Sequence, residues 1–441
     1  MRLTWVQPED LLPHELVQSR AEGKDTAPVL RQWVDAGGDP APAVSGASDV
    51  PAGDELRHLS NRLLDDLDAR PAAPHADEPE TWDDIVAALR PVPDRRPAND
   101  YPARVAGAWT GRAAGCLLGK PVEKIPRQGI EEILRCTGHW PPTMYFTAVG
   151  LTPDVAARWP WNRRSAPTSL AENIDGMPED DDLNYTMMAL SLLQRHGFGF
   201  TTDDVAQLWL DDLPAGRVFT AERATYRNLL QGVPPDRCAI VRNPFREWIG
   251  ALIRGDMFGW VCPGRPAEAA RLAWKDARLS HTRNGVYGEM WAASLASCAM
   301  VAGDVHEVLD AAAGCVPPRS RLAEAIAFGR DAAGRGLTGG IDALHDRYGS
   351  MHWVHVLNNA ATIAFALELG DGDFGASIYA AVTAGWDTDS AGAMAGIDGI
   401  GPDWTGPIDG RIATTLPGGE QRIDELTRRT VAVAHENGML Q

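Results

Sequence analysis

The stretch from Gly385 to Gly396 constrains the fold of this chain more than any other. Asp387 and Asp389 stand two residues apart, Ser390 follows, and the residues after them are nearly all small. Small side chains let a helix pack closely against its neighbours, so we predict a tight turn that leads into a buried helix over 391–397. Buried carboxylates must be paired, hydrogen-bonded or metal-bound, and this turn therefore indicates a site for a hard cation.

A second acidic segment lies about 200 residues upstream, where Glu179, Asp180, Asp181 and Asp182 precede an apolar helical pattern. One or two acids at a helix start are ordinary caps and dipole partners, but four in a row are harder to explain in that way. If the fold brings both segments together, five or six oxygen atoms converge, and such ligands suit Mg²⁺, Mn²⁺ or Ca²⁺.

Helical periodicity dominates the rest of the chain, and alternating β patterns are scarce. We therefore predict an all-α fold, a large orthogonal array of helices. Glycines at 107, 111 and 115 recur every four residues and predict close helix packing in its core. The predicted helices after the acidic segment are 183–195, 202–211, 219–230, 245–254, 266–279, 287–302, 304–312, 320–335, 339–347, 353–369 and 373–384.

Composition separates residues 1–100 from residues 101–441. We expect the first part to be a mostly helical N-terminal extension with Pro/Ala/Gly-rich linkers and an amphipathic helix over 54–69. It contains no cluster of ligand residues, which predicts an appendage that packs on the main body or on a partner. The main domain, 101–441, carries the candidate site residues.

The formal net charge of −19 argues against a nucleic-acid-binding surface. No run of residues is apolar enough to predict a membrane span or a signal peptide. Six scattered cysteines without a CxxC pair favour reduced thiols and a cytoplasmic location. We expect a monomer or a weak oligomer.

Together these motifs resemble the ADP-ribosylglycohydrolase family, which includes the dinitrogenase reductase-activating glycohydrolase. Three segments from Ala103 to Pro417 carry the resemblance: the glycine-rich opening that ends at Glu123, the run 180–182 with Thr186, and the stretch 385–390. The resemblance implies an all-α bundle that holds two divalent ions, Mg or Mn. It implies the metal ligands Asp180, Asp181, Asp182, Asp387, Asp389 and Ser390.

The same resemblance assigns catalysis to Glu123 and Asp389 and substrate binding to Gly119, His281 and Trp386. Four positions depart from the family pattern: Cys116, Asp180, Leu183 and Trp386. The first of these replaces an acid, and an alternative alignment would use Glu179, Asp180 and Asp181. Because the acidic set is intact and the pocket wall is changed, catalysis is expected and the substrate stays open.

The expected reaction is hydrolysis of an N- or O-ribosyl bond, through an oxocarbenium-like state at the anomeric carbon. The expected substrate is an ADP-ribosylated protein or a small ADP-ribosyl or ribosyl compound. Alternatives are a hydrolase of a nucleoside or small ribosyl metabolite, a catalytically silent protein that binds ADP-ribose, and a structural interaction protein. His352 and His355 lie three residues apart like a metal pair, but no third ligand is near and we favour a packing role.

Overall fold

A computed structural model of the chain describes residues 2–73, 75–395 and 401–440. Gly396 and the end of the helix predicted over 391–397 therefore lie outside the described residues. Across the described residues, no helix is both long enough and apolar enough to cross a membrane.

The fold is all-α, as the sequence predicts. A minor two-stranded antiparallel pairing joins β1 (Arg411–Ile412) to β2 (Gln421–Arg422). The α-helices are α1 Pro8–Ala21, α2 Ala27–Asp35, α3 Asp54–Ala69, α4 Trp82–Ala88, α5 Tyr101–Gly119, α6 Arg127–Cys136, α7 Pro153–Arg158, α8 Ala166–Ser169, α9 Asp181–His196, α10 Thr202–Asp212, α11 Thr220–Leu230, α12 Pro235–Cys238, α13 Asp256–Trp260, α14 Pro266–Ala277, α15 Arg283–Ala299, α16 Val305–Ala313, α17 Arg321–Ala333, α18 Gly336–Tyr348, α19 Val356–Gly370, α20 Phe374–Thr383, α21 Thr388–Met394, α22 Pro402–Thr405 and α23 Ile423–Glu436.

One predicted helix, 245–254, is wrong. The structure forms turns there, followed by a 3₁₀ helix at Leu252–Arg254 and the short α13. Trp248 instead makes an isolated antiparallel bridge with His355, and the amide of Ile249 donates to the carbonyl of Val354 at 2.9 Å. Pairing with a distant segment thus replaces the local helical hydrogen bonds.

Close packing of α5 against α21 forms the centre of the fold. A Cβ added at Gly115 would lie 2.0 Å from the carbonyl oxygen of Gly392, and one at Gly119 would lie 2.2 Å from that of Thr388. Gly107, at the other end of the predicted glycine ridge, has no neighbour within 4 Å of an added Cβ. The close approach therefore lies at the C-terminal end of α5, next to the acidic residues.

The N-terminal region packs on the main body through buried ion pairs. Arg246 binds Glu15 on α1, at 2.8 Å, and Glu22, at 2.6 Å, and all three side chains are buried. Glu78 pairs with the buried Arg283 and, at 2.8 Å, with the half-buried Arg321. Because an uncompensated buried charge is costly, these pairs fix the region to the body.

His352 lies in an aromatic cluster. Its ring stacks on Trp248, with centroids 4.3 Å apart, and contacts Trp5 and His14. Burial lowers the pKa of His352 to about 3 and that of His355 to about 4. Both rings are therefore neutral. His352 belongs to the packing between the N-terminal region and the body, whereas His355 caps α19 by accepting a hydrogen bond from the amide of Leu357 at 3.2 Å.

Candidate active site

The turn before α21 orients the second acidic segment. Gly385 and Trp386 both have positive φ, +81° and +66°, which turns the chain sharply into the helix. Asp387 stands at the N-cap position and Asp389 in the first turn, and both are buried. The hydroxyl of Thr388 donates to the carbonyl oxygen of Gly119 at 2.8 Å, which fixes this turn to the end of α5.

The first acidic segment begins α9. Asp180 is the N-cap, and its carboxylate accepts a hydrogen bond from the amide of Asp182 at 3.0 Å. The same carboxylate forms an ion pair with the buried ammonium group of Lys120. Asp182 is 2% exposed, and its Oδ1 lies 3.5 Å from a guanidinium nitrogen of Arg112, which also pairs with Asp256.

The two acidic segments meet. The hydroxyl of Ser390 donates to Oδ2 of Asp182 at 3.4 Å, and the thiol of Cys116 lies 3.7 Å from the same oxygen. We call Asp180, Asp181, Asp182, Asp387 and Asp389 the aspartate cluster. It lies at a cleft of about 550 Å³, which we call the acidic cleft; Asp180, Asp181, Asp387, Asp389 and Ser390 line it, whereas Asp182 lies beneath them.

Burial and mutual repulsion perturb the ionisation of this cluster. Burial, and then the charge of Asp180, raise the pKa of Asp181 well above its usual range. Burial and Asp389 do the same to the pKa of Asp387. The pKa of Asp389 rises to about 7 through burial and then the charge of Glu123. Burial opposes ionisation of Asp180 too, but Lys120 outweighs it and lowers the pKa of Asp180.

The cluster fits a divalent cation. Oδ1 of Asp182 is buried and, among the described residues, accepts no hydrogen bond, although Arg112 lies 3.5 Å from it. Within the same described part of the chain, Lys120 and Arg112 pair with the cluster, and Arg112 is shared with Asp256. Several carboxyl groups of the cluster thus lack a cationic partner among those residues, and carboxylate oxygens are the ligands that hard cations prefer. Atoms of Cys116, Asp180 and Asp182 also lie within 4.8 Å of one another, but burial raises the pKa of that thiol and keeps it protonated.

Glu123 lies at the rim of the cleft. It follows the 3₁₀ helix Lys120–Val122, and one carboxylate oxygen accepts a hydrogen bond from the side-chain amide of Asn162 at 2.7 Å. The other oxygen lies 3.2 Å from the ammonium group of Lys124. Because Glu123 raises the pKa of both Asp387 and Asp389, its charge acts on the aspartate cluster from this position.

None of the three predicted substrate-binding residues is among the residues that line the acidic cleft. Gly119 provides the carbonyl that holds Thr388 and the space for α21. The ring of Trp386 is buried and stacks on His345, with centroids 4.2 Å apart. His281 is 1% exposed, and its Nδ1 bonds the hydroxyl of Ser280 at 2.8 Å. Packing, which local sequence does not encode, turned the side chains of Trp386 and His281 inward.

Glu179, the alternative ligand, is held by the protein. Its carboxylate accepts hydrogen bonds from Asn184 and from the amide and hydroxyl of Thr415, and it pairs with Arg217 at 2.8 Å. These donors lower its pKa against the effect of burial. Glu179 therefore fixes the start of α9 to the C-terminal segment and also lines the acidic cleft, whereas Asp182 does not line it and accepts a hydrogen bond from Ser390.

Sequence reasoning missed several residues of the cleft. Lys120 stands within a motif already singled out, three residues before Glu123, so its position could have signalled a partner for an acid. The remaining lining residues carry no such signal, because they come from distant loops and from the N-terminal region. They include Thr4, Trp5, Ser45, Asn162, Arg163, Arg164 and Trp353.

Comparison with known proteins decides the family. The family model for ADP-ribosylglycohydrolase matches residues 97–436, well over half of the chain. The chain belongs to the ADP-ribosylglycohydrolase family. Family membership indicates glycohydrolase activity for this chain, while the bond that it cleaves is a separate question.

A solved structure described as "ADP-ribosylglycohydrolase-related protein complex" is similar to this chain at 17% sequence identity and a TM-score of 0.45. The similarity covers 78% of this chain and 100% of that one. No curated protein matches. Residues 1–96 lie outside the family match, although Thr4, Trp5 and Ser45 line the acidic cleft.

Proposed function

We propose that this protein is a hydrolase that depends on divalent cations and cleaves an N- or O-ribosyl bond of an ADP-ribosyl substrate. The observation that carries the proposal is the convergence of aspartates from two segments about 200 residues apart on one cleft. Such convergence is costly in a metal-free fold, because buried carboxylates repel one another, and it therefore needs a functional reason. Family membership supplies the reaction class.

Asp180, Asp181, Asp387, Asp389 and Ser390 would hold the cations at the cleft, with Asp182 behind them. We propose two ions, Mg²⁺ or Mn²⁺. When bound, they supply Lewis-acid stabilisation and orient the ribose diol and a water. Lys120 neutralises Asp180 and so limits the repulsion within the first segment.

Glu123 is the proposed general base. Its carboxylate faces the aspartate cluster, and Asn162 fixes one of its oxygens, so that it can accept a proton from a water at the anomeric carbon. We propose that Asp389 shares the catalytic role, since it lines the cleft with Glu123 and the charges of Glu123 and Asp180 both act on it.

A hydrolysis screen tests the proposal. The purified protein, with Mg²⁺ or Mn²⁺, is incubated with ADP-ribosylated arginine, ADP-ribosylated serine, O-acetyl-ADP-ribose and free nucleosides. The Asp387→Asn variant serves as the inactive comparison, and Asp331→Asn, at an exposed position on α17, is the matched control.

Release of ADP-ribose by the wild type and by Asp331→Asn, but not by Asp387→Asn, supports the proposal. Cleavage of nucleosides alone would instead favour a nucleoside hydrolase. Binding of ADP-ribose without any cleavage would favour the catalytically silent binding protein. Equal cleavage by Asp387→Asn and the wild type would refute the role of the cluster.

A further inference from the structure

The N-terminal region forms part of the wall of the acidic cleft. Thr4, Trp5 and Ser45 line this cleft together with residues of the matched family domain. Two segments of the N-terminal region meet there, because the amide of Trp5 donates a hydrogen bond to the carbonyl oxygen of Gly46 at 2.6 Å. A Cβ at Gly46 would lie 2.3 Å from the Trp5 ring, so the two segments are in close contact. We call Thr4, Trp5, Ser45 and Gly46 the N-terminal wall.

The body of the protein holds this wall from both sides. A guanidinium nitrogen of Arg223 donates to the hydroxyl of Thr4 at 2.7 Å and to its carbonyl at 3.1 Å. On the other side, the indole nitrogen of Trp353 donates to the carbonyl of Val44 at 3.2 Å. Trp353 itself lines the cleft, and the ammonium group of Lys124 lies 5.1 Å from its ring centroid. The wall is therefore fixed rather than a loose tail.

Cationic side chains gather next to this wall. Arg163 and Arg164 line the cleft and are exposed, and among the described residues neither has a carboxylate within 4 Å. Burial lowers the pKa of Arg223, and the positive charge of Arg164 acts in the same direction. Arg164 thus lies close enough to Arg223, which holds Thr4, for the two guanidinium charges to interact.

The cleft therefore contains two regions of opposite charge, the aspartate cluster and the arginine pair beside the N-terminal wall. A ligand that spans both needs a neutral, oxygen-rich part for the first and an anionic part for the second. Unpaired guanidinium groups bind phosphate through paired, charge-assisted hydrogen bonds, and the hydroxyls of Thr4 and Ser45 can add further donors.

We propose that Arg163, Arg164 and the N-terminal wall form a subsite for the phosphate-bearing arm of the ligand. This inference rests on the proposed function for the identity of the ribosyl part, but not for the subsite itself. It makes residues outside the family match part of substrate selection. It also favours a phosphorylated ribosyl substrate over a plain nucleoside.

Binding measurements with paired variants test the proposal. Isothermal titration calorimetry compares ADP-ribose with adenosine in the presence of Mn²⁺, and inorganic pyrophosphate is titrated separately into protein in EDTA. The first variant is Arg163→Gln/Arg164→Gln. Its matched control is Arg422→Gln/Arg428→Gln, which removes the same charge from exposed positions that do not line the cleft.

The second variant, Ser45→Asp, places a negative charge on the wall, and Val50→Asp places the same charge on an exposed residue of the same segment that does not line the cleft. We expect Arg163→Gln/Arg164→Gln to weaken ADP-ribose and pyrophosphate binding at least about tenfold, and Ser45→Asp about threefold or more. Adenosine binding and both controls should stay at wild-type values.

Each negative result of these measurements leads to a different conclusion. If wild-type protein binds ADP-ribose and pyrophosphate but hydrolyses no substrate, the proposed function fails while the subsite stands. If Arg163→Gln/Arg164→Gln binds both phosphate ligands as tightly as its control does, or the wild type binds neither, the subsite is overturned. If Ser45→Asp and Val50→Asp behave alike, the N-terminal wall has no part in it.

Discussion

Replacing Asp389 by asparagine should stabilise the metal-free protein at alkaline pH. Burial and the charge of Glu123 raise the pKa of Asp389 from 3.8 to about 7. At 1.36 kcal/mol per pKa unit, ionising Asp389 in the metal-free fold lowers the free energy of unfolding by on the order of 4 kcal/mol. Asparagine has nearly the same shape and no charge to bury.

The sign of the pH dependence follows from this raised pKa. Between the unfolded and folded pKa values the native state holds a proton that the unfolded state has lost. The stability of the wild type therefore falls as the pH rises from about 4 to about 7. Above that window the loss is complete, and below it Asp389 is neutral in both states. Asp389→Asn does not undergo this loss.

Thermal unfolding in EDTA at pH 5 and pH 8 measures the effect. We expect Asp389→Asn to melt several degrees above the wild type at pH 8, and above it by less than half that difference at pH 5, which lies inside the window. Addition of Mn²⁺ should raise the melting temperature of the wild type more than that of the variant. The exposed control, Asp331→Asn, should follow the wild type throughout. A lower melting temperature for Asp389→Asn at pH 8, or an equal difference at both pH values, would refute the reasoning.

Gly115→Ala should lower the free energy of unfolding in urea by about 1–3 kcal/mol, because the added Cβ meets a backbone carbonyl. Gly107→Ala is the control and should not lower it, because an added Cβ there meets no atom within 4 Å. An equal loss of stability in both variants would contradict the close packing of α5 on α21. Glu15→Ala should lower the free energy of unfolding by roughly 3 kcal/mol or more, since it leaves the buried charge of Arg246 undercompensated; a loss under about 1 kcal/mol would mean that α1 is only loosely attached. Glu123→Gln should reduce kcat by about 100-fold or more, with Mn²⁺ affinity by calorimetry unchanged; a parallel loss of Mn²⁺ affinity would make Glu123 a ligand instead of a base.

Local sequence patterns were enough to predict the fold class and the two acidic segments. Helix positions such as Asp54–Ala69 and Thr220–Leu230 follow from apolar spacing and caps, which act within a few residues. The acidic segments stand out because clustered carboxylates before apolar helices are too costly to be incidental. The resemblance in order and spacing then gave the family.

Tertiary structure alone decided which side chains share the cleft. Asp180 pairs with Lys120, Asp182 lies beneath the cleft beside Arg112, and Trp386 packs on His345 instead of facing a ligand. The N-terminal region, predicted to be an appendage, supplies Ser45 to the cleft wall. The physical reason is that burial, ion pairing and side-chain orientation depend on contacts between segments that are tens to hundreds of residues apart, and no local pattern records those contacts.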